Sequence, residues 1–145
     1  VGSHFKTVAY GSILTPAGVR TEKRLALIYD GMNELLDKYK PDEMAVEELF
    51  FNTNITTGIR VAEARGVILT AAEKKGVKMQ EYTPLQVKQS VVGYGRAEKK
   101  QVIAMVTMLL GLKEAPKPDD TADALAIAIC HAHSGCSRIA QYYNQ

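Results

Sequence analysis

The sequence predicts an α/β layer protein. Three observations carry that prediction. Short apolar or β-branched runs alternate with longer stretches in which apolar residues recur every three or four positions. Pro and Gly mark most of the junctions between them. No repeat or low-complexity stretch interrupts the order. The 145 residues suit a single domain. A chain of that size buries about 70% of its unfolded surface and needs neither a disulfide nor a structural metal to hold a core. Hydrophobic residues at 46% and charged residues at 23% exclude a disordered chain or a coiled coil. No apolar run reaches the ~18 residues of a membrane span, and the opening residues do not read as a signal peptide. There are two cysteines, Cys130 and Cys136, the first in an apolar helical stretch, and this predicts a reducing cytoplasm.

Taken in order, residues 5–14 mix β-branched, aromatic and small polar side chains ahead of Pro16, which predicts a strand. Leu25, Ile28, Met32, Leu35, Leu36 and Tyr39 then form one face of an amphipathic helix over residues 20–39, and Pro41-Asp42 stops it. Met44, Ala45 and Val46 make a short apolar strand that ends abruptly at Glu47-Glu48. Residues 55–75 predict a second long helix closed by Gly76. Gly58, Ala62, Gly66, Ala71 and Ala72 are small enough for another helix or backbone to approach it closely.

A third strand is expected over residues 77–82. Thr83 can cap the next helix, Pro84 suits its first position, and Gln86 completes a capping box. Gly93-Tyr94-Gly95 is a turn, residues 97–110 a helix closed by Gly111, and Pro116 and Pro118 a loop. The last helix opens at Asp119-Asp120 and runs through Asp123 to His133. It is apolar nearly all round, which predicts burial against a sheet or a partner. Residues 135–145 form a tail without periodicity.

A formal net charge of +2 hides an asymmetry. Between Lys74 and Lys113 there are eight basic residues and two acids, a surplus of six, which leaves the remainder at four negative. A basic segment beside an acidic remainder suits an anionic partner held near a cluster of carboxylates; a solvated helix face would give the same count.

Two groups of acids could carry chemistry. Glu47 ends an apolar strand, and in open α/β sheets sites form at the carboxyl ends of strands; a strand emerging into solvent reads the same way. Asp120 and Asp123, three residues apart, share one face of a helix. Acids there also cap a helix or complement its dipole. Yet an unpaired carboxylate at the mouth of a buried helix is costly, and Mg²⁺, which favours carboxylate oxygens, relieves that cost. A strand-end Glu facing such a pair suits two-metal phosphodiester hydrolysis, in which one ion activates water and the other stabilises the leaving oxygen. Cys130, His131, His133 and Cys136 match no common zinc spacing.

The runs AVEELFF, ARGVILTAAEKKGV, EYTPLQVKQSVVGYGRAEKKQV, MLLG and PDDTADALAIAICHAH resemble the bacterial RuvC-type Holliday-junction resolvases over residues 5–133. The resemblance implies a ribonuclease-H-like mixed sheet flanked by helices, a homodimer, Mg²⁺ dependence and cleavage of opposed strands of a four-way DNA junction. It also implies the branch-migration proteins RuvA and RuvB as partners. By position, Glu47 matches the family's strand-end metal-binding glutamate, and Asp120 and Asp123 its C-terminal acidic pair. Lys88 and Lys99 match the basic residues beside the scissile phosphate. Phe50 matches an aromatic that stacks on bases near the junction centre, with Phe51 its neighbour. Arg96, between the two lysines, belongs to the same basic DNA-facing segment. The helix after Asn54 resembles the dimer-interface helix.

These roles agree with the physics of the residues. Phosphate contacts from a basic segment dominate affinity and make it salt-dependent, and a ring such as Phe50 stacks on an unpaired base without reading its sequence. There is one departure. The family opens with a strand bearing a G-x-D-x-G motif, whose aspartate is its first metal ligand, and a second strand follows. This sequence contains no such motif, begins at Val1, and its first expected strand resembles the family's third. The expectation is therefore a single nuclease domain, residues 1–145, lacking the family's first two strands. The complete protein is expected to be a Mg²⁺-dependent junction endonuclease acting in recombination and repair. The alternative is a chain that binds junction DNA without cutting it.

Overall fold

The computed structural model describes residues 5–49 and 55–134. Over these residues the order is α1 (Thr21–Tyr39), β1 (Glu43–Glu47), α2 (Ile55–Lys74), β2 (Lys78–Tyr82), α3 (Pro84–Val91), α4 (Lys99–Leu109) and α5 (Asp119–His133). β1 and β2 pair as a small parallel sheet, with α2 as the crossover between them. The alternation expected from the sequence is present, and the architecture is α/β.

Local chemistry explains most of the boundaries. α2 ends because Gly76 takes a φ of 71°, where a side chain would be strained. Gly76 N–H then donates to Glu73 O at 3.0 Å and Val77 N–H to Ala72 O at 3.1 Å, the paired bonds of a Schellman closure. α3 starts on the capping box read from the sequence. Gln86 N–H donates to Thr83 Oγ1 at 3.1 Å, and Thr83 N–H to Gln86 Oε1 at 2.8 Å. After α3, Gly93 at a φ of 100° makes the turn toward α4. α4 begins at Lys99 rather than at Ala97, since Glu98 N–H donates to Gln101 Oε1 at 2.8 Å and fixes the start there.

The described residues fall into two compact units. One is drawn from residues 5–12, Ala45–Glu48 and residues 80–134. In it α3 and α4 pack on α5, around a core of Val87, Val91, Val102, Val106, Ala126 and Ile129. The other unit comprises Ile13–Met44, Leu49 and residues 55–79. There α1 packs on α2 around Leu36, Ala71, Ala72 and Val77. The small residues Ala71 and Ala72 are fully buried, as close helix packing requires.

One expectation needs correction. Residues 5–14 form no strand. A strand persists only through its ladder, and no strand among the described residues pairs with this segment. Its apolar side chains face water instead, Val8 at 75% exposed and Leu14 at 85%, while Phe5 packs on the first core. α5 is buried over most of its circumference, with α3 and α4 packed on it, in keeping with its apolar sequence. Ala122, Ala126, Ile129 and Cys130 lie inside, whereas Ala124 and Ala128 are exposed, alanine being small enough to face water at little cost.

Candidate active site

Four elements of the first unit bring the acids and lysines together. Glu47 is the last residue of β1, and Glu48 N–H donates to Tyr82 O at 2.8 Å, so pairing continues beyond it. α5 opens after Pro118, which has no side-chain hydrogen bond to offer, so neither Asp119 nor Asp120 is the capping residue. Both lie in the first turn, with Asp123 one turn further on. α4 contributes Lys99 from its first position, and α3 contributes Lys88.

Glu47, Lys88, Lys99 and Asp123 line a cleft of about 190 Å³ whose floor is apolar, with Val87, Val102, Ala126 and Ile127. Lys99 Nζ donates to Asp123 Oδ2 at 3.2 Å. That hydrogen bond is the main reason the Lys99 ammonium sits above its ordinary pKa, and the charges of Asp123, Asp119 and Asp120 push the same way. The Glu47 carboxyl also lies above its ordinary value. Burial is the main cause, the Asp123 charge adds to it, Lys99 opposes it, and Asp120 adds again. The charges of Asp120 and Asp123 thus act on both Glu47 and Lys99.

The remaining site residues are distributed differently. Arg96 is exposed and does not line the cleft. Phe50 and Phe51 lie outside the described residues. Among the described residues no group of three or more His, Cys, Asp or Glu is gathered at metal-holding spacing. Glu47 and Asp123 line the cleft, the charges of Asp123 and Asp120 both act on Glu47, and carboxylate oxygens are the donors a hard divalent cation takes.

The Glu47 shift has a testable sign. Its folded pKa exceeds its unfolded value, so between the two the folded chain holds more protons. Stability falls as pH rises through that window, and the loss is complete above the folded pKa. Glu47→Gln is therefore expected to raise Tm near neutral pH, with the two proteins converging once the solution is well below the carboxylate range. A thermal-melt series across pH checks this; a constant difference at every pH would count against it.

Sequence reasoning missed a clamp in the same unit. Tyr82, at the end of β2 and 5% exposed, places its hydroxyl 2.6 Å from His131 Nδ1 and 2.9 Å from Ser134 Oγ. Ser90 Oγ lies 3.1 Å from His133 Nδ1. The two histidines thus bond to hydroxyls and tie β2 and α3 to the end of α5. The only sequence hint was an aromatic closing a short strand.

Comparison with known proteins adds to this geometry. A family model described as crossover junction endodeoxyribonuclease RuvC matches residues 1–131. The crossover junction endodeoxyribonuclease RuvC of Alkaliphilus metalliredigens is 58% identical over 134 residues, 92% of this chain and 82% of that protein. Its counterpart in Brevibacillus brevis is 60% identical over 131 residues, 90% of this chain and 79% of the relative. The structure of Thermus thermophilus RuvC in complex with Holliday junction substrate superposes with a TM-score of 0.87 at 37% identity, covering 93% of this chain and 82% of that one. A second Thermus thermophilus RuvC structure gives a TM-score of 0.77 at 41% identity, over 84% and 74% of the two chains.

Proposed function

Since the chain belongs to the RuvC family of crossover junction endodeoxyribonucleases, we propose that the cleft between Glu47, Lys88, Lys99 and Asp123 is where it cuts DNA. The protein is a structure-specific nuclease that resolves four-way (Holliday) junctions in recombination and repair. The observation that supports this placement of the site is the gathering of a strand-end glutamate, a helix-borne aspartate and two lysines in one cleft, with Lys99 Nζ 3.2 Å from Asp123 Oδ2.

Glu47, Asp120 and Asp123 would hold the metal of this metal-dependent family, and Mg²⁺ is the ion their hard oxygen donors suit. When bound, it supplies the charge that activates the attacking water and stabilises the leaving oxygen of an in-line displacement. Lys88 and Lys99 draw the scissile phosphate into the cleft and offset charge that builds on its oxygens. The apolar floor of Val87, Val102 and Ile127 lowers the local dielectric and strengthens those interactions. Phe50 stacks on a base at the junction centre, and Arg96 contacts backbone phosphate outside the cleft.

The active form is a homodimer. Ile55, Ile59, Ala62 and Gly66 follow one another at helical spacing along α2, with Ile55 73% and Ile59 51% exposed, a stripe suited to a second copy. A two-fold dimer matches the two-fold junction and presents one cleft to each of two opposed strands. RuvA and RuvB are its partners by family. The place of action is the cytoplasm, which agrees with a buried free thiol at Cys130. Among the described residues no helix is long and apolar enough to cross a membrane.

The experiment is cleavage of a synthetic four-way junction and of a linear duplex of matched sequence. The junction should be cut into paired nicked duplexes with Mg²⁺ and left intact with a chelator, and the linear duplex should survive both. Junction binding with no nicking at any Mg²⁺ concentration would instead return a binding protein without catalysis.

A further inference from the structure

The unit built from α1 and α2 holds a second group of cationic donors with no assigned role. A cavity of about 250 Å³ lies beside the first turns of α1, where Thr21, Arg24 and Arg60 line it together with one acid, Glu63. The Arg24 Nε is buried and has no hydrogen-bond partner. Neither Arg24 nor Arg60 forms an ion pair among the described residues, although Glu63 lines the same cavity. Two other basic side chains of this unit do find carboxylates: Arg20 pairs with Glu22 at 2.7 Å and Lys75 with Asp37 at 2.7 Å.

A guanidinium is charged at every accessible pH and presents its donors as a planar fork. Holding one half-buried with an unmet donor calls for an acceptor that the chain itself does not supply. Phosphate oxygens suit that fork, which takes them two at a time. The charges also balance: two guanidiniums facing Glu63 leave one positive charge for a singly charged phosphodiester.

We propose that Arg24 and Arg60 bind a backbone phosphate of a junction arm, at a site separate from the cleavage cleft. This rests on the reading of the protein as a junction nuclease. It assigns a second DNA contact in a part of the chain whose sequence lies outside the strongly basic 74–113 segment.

The test is junction binding by fluorescence anisotropy over a salt series, comparing the parent protein with Arg60→Gln and with Arg24→Gln/Arg60→Gln. Losing one phosphate contact should weaken binding and make the slope of log affinity against log salt shallower by about 0.9. Arg60 is exposed, so its single variant remains informative if Arg24→Gln fails to fold. An unchanged slope and affinity in Arg60→Gln, with the parent protein binding normally, overturns the proposal and leaves the nuclease reading intact. Failure of the parent to bind the junction would overturn the nuclease reading. As a further arm, inorganic phosphate is titrated while the Arg24 Nε–H resonance is followed by NMR. A saturable shift with no change in the DNA salt slope would make the site one for free phosphate and overturn the DNA assignment.

Discussion

Asp123→Asn is expected to abolish junction cleavage while leaving junction binding close to that of the parent. The loss should exceed about 100-fold, since even outer partners of metal ligands are worth 10–100-fold. Asp123 lies within the cleft, accepts a hydrogen bond from Lys99 and is the largest charge effect on Glu47. Asparagine keeps the shape and still offers an oxygen to Lys99, so the fold should hold. What it removes is one negative charge from the set meant for a divalent cation. Two measurements separate that from a general defect: the variant should bind junction DNA, and its Tm should respond less to added Mg²⁺ than the parent's. Parent-like cleavage by Asp123→Asn would refute the assignment.

Ile129→Ala is expected to cost about 2–5 kcal/mol of stability. Ile129 is 2% exposed and is one of the largest fully buried side chains in the unit where α5 meets α3 and α4. Truncating it leaves a cavity against neighbours that have little room to collapse. Tm should fall by on the order of ten degrees, read by calorimetry or circular dichroism. Ala128→Ser, one residue earlier on the exposed side of the same helix, should stay within about 0.5 kcal/mol of the parent. Since α5 also carries Asp120 and Asp123, cleavage by Ile129→Ala should fail at the temperature where the helix melts and survive below it. Loss of cleavage with unchanged Tm would contradict this.

What could be read from the sequence follows the range of the interactions involved. The cap of α3 rests on Thr83, Pro84 and Gln86, three residues that act within one turn, and it was legible. So was the closure of α2 at Gly76, because a positive φ has a residue signature. The strand expected over residues 5–14 was not legible as its absence, because strand formation depends on a neighbour that composition does not name. The acids of the site were visible as residue types at element ends, and the family resemblance supplied their roles. The pairing of Lys99 with Asp123 joins residues far apart in the chain, as do the contacts of Tyr82 with His131 and the cavity shared by Arg24 and Arg60. Each is a product of folding, with no local pattern to announce it. Phe50 and Phe51 were named from the resemblance alone and lie outside the described residues.

The Lys99–Asp123 contact bears on how a protein can carry an acidic centre before DNA arrives. Three carboxylates in one neighbourhood push apart the elements that hold them, and a newly folded chain meets that repulsion first. A dissolved ion relieves it only while its concentration lasts. An ammonium on the first turn of α4 is a tethered counterion: the chain fixes its local concentration, and dilution cannot wash it out. Part of the counter-charge to the acids is thereby carried by the chain itself.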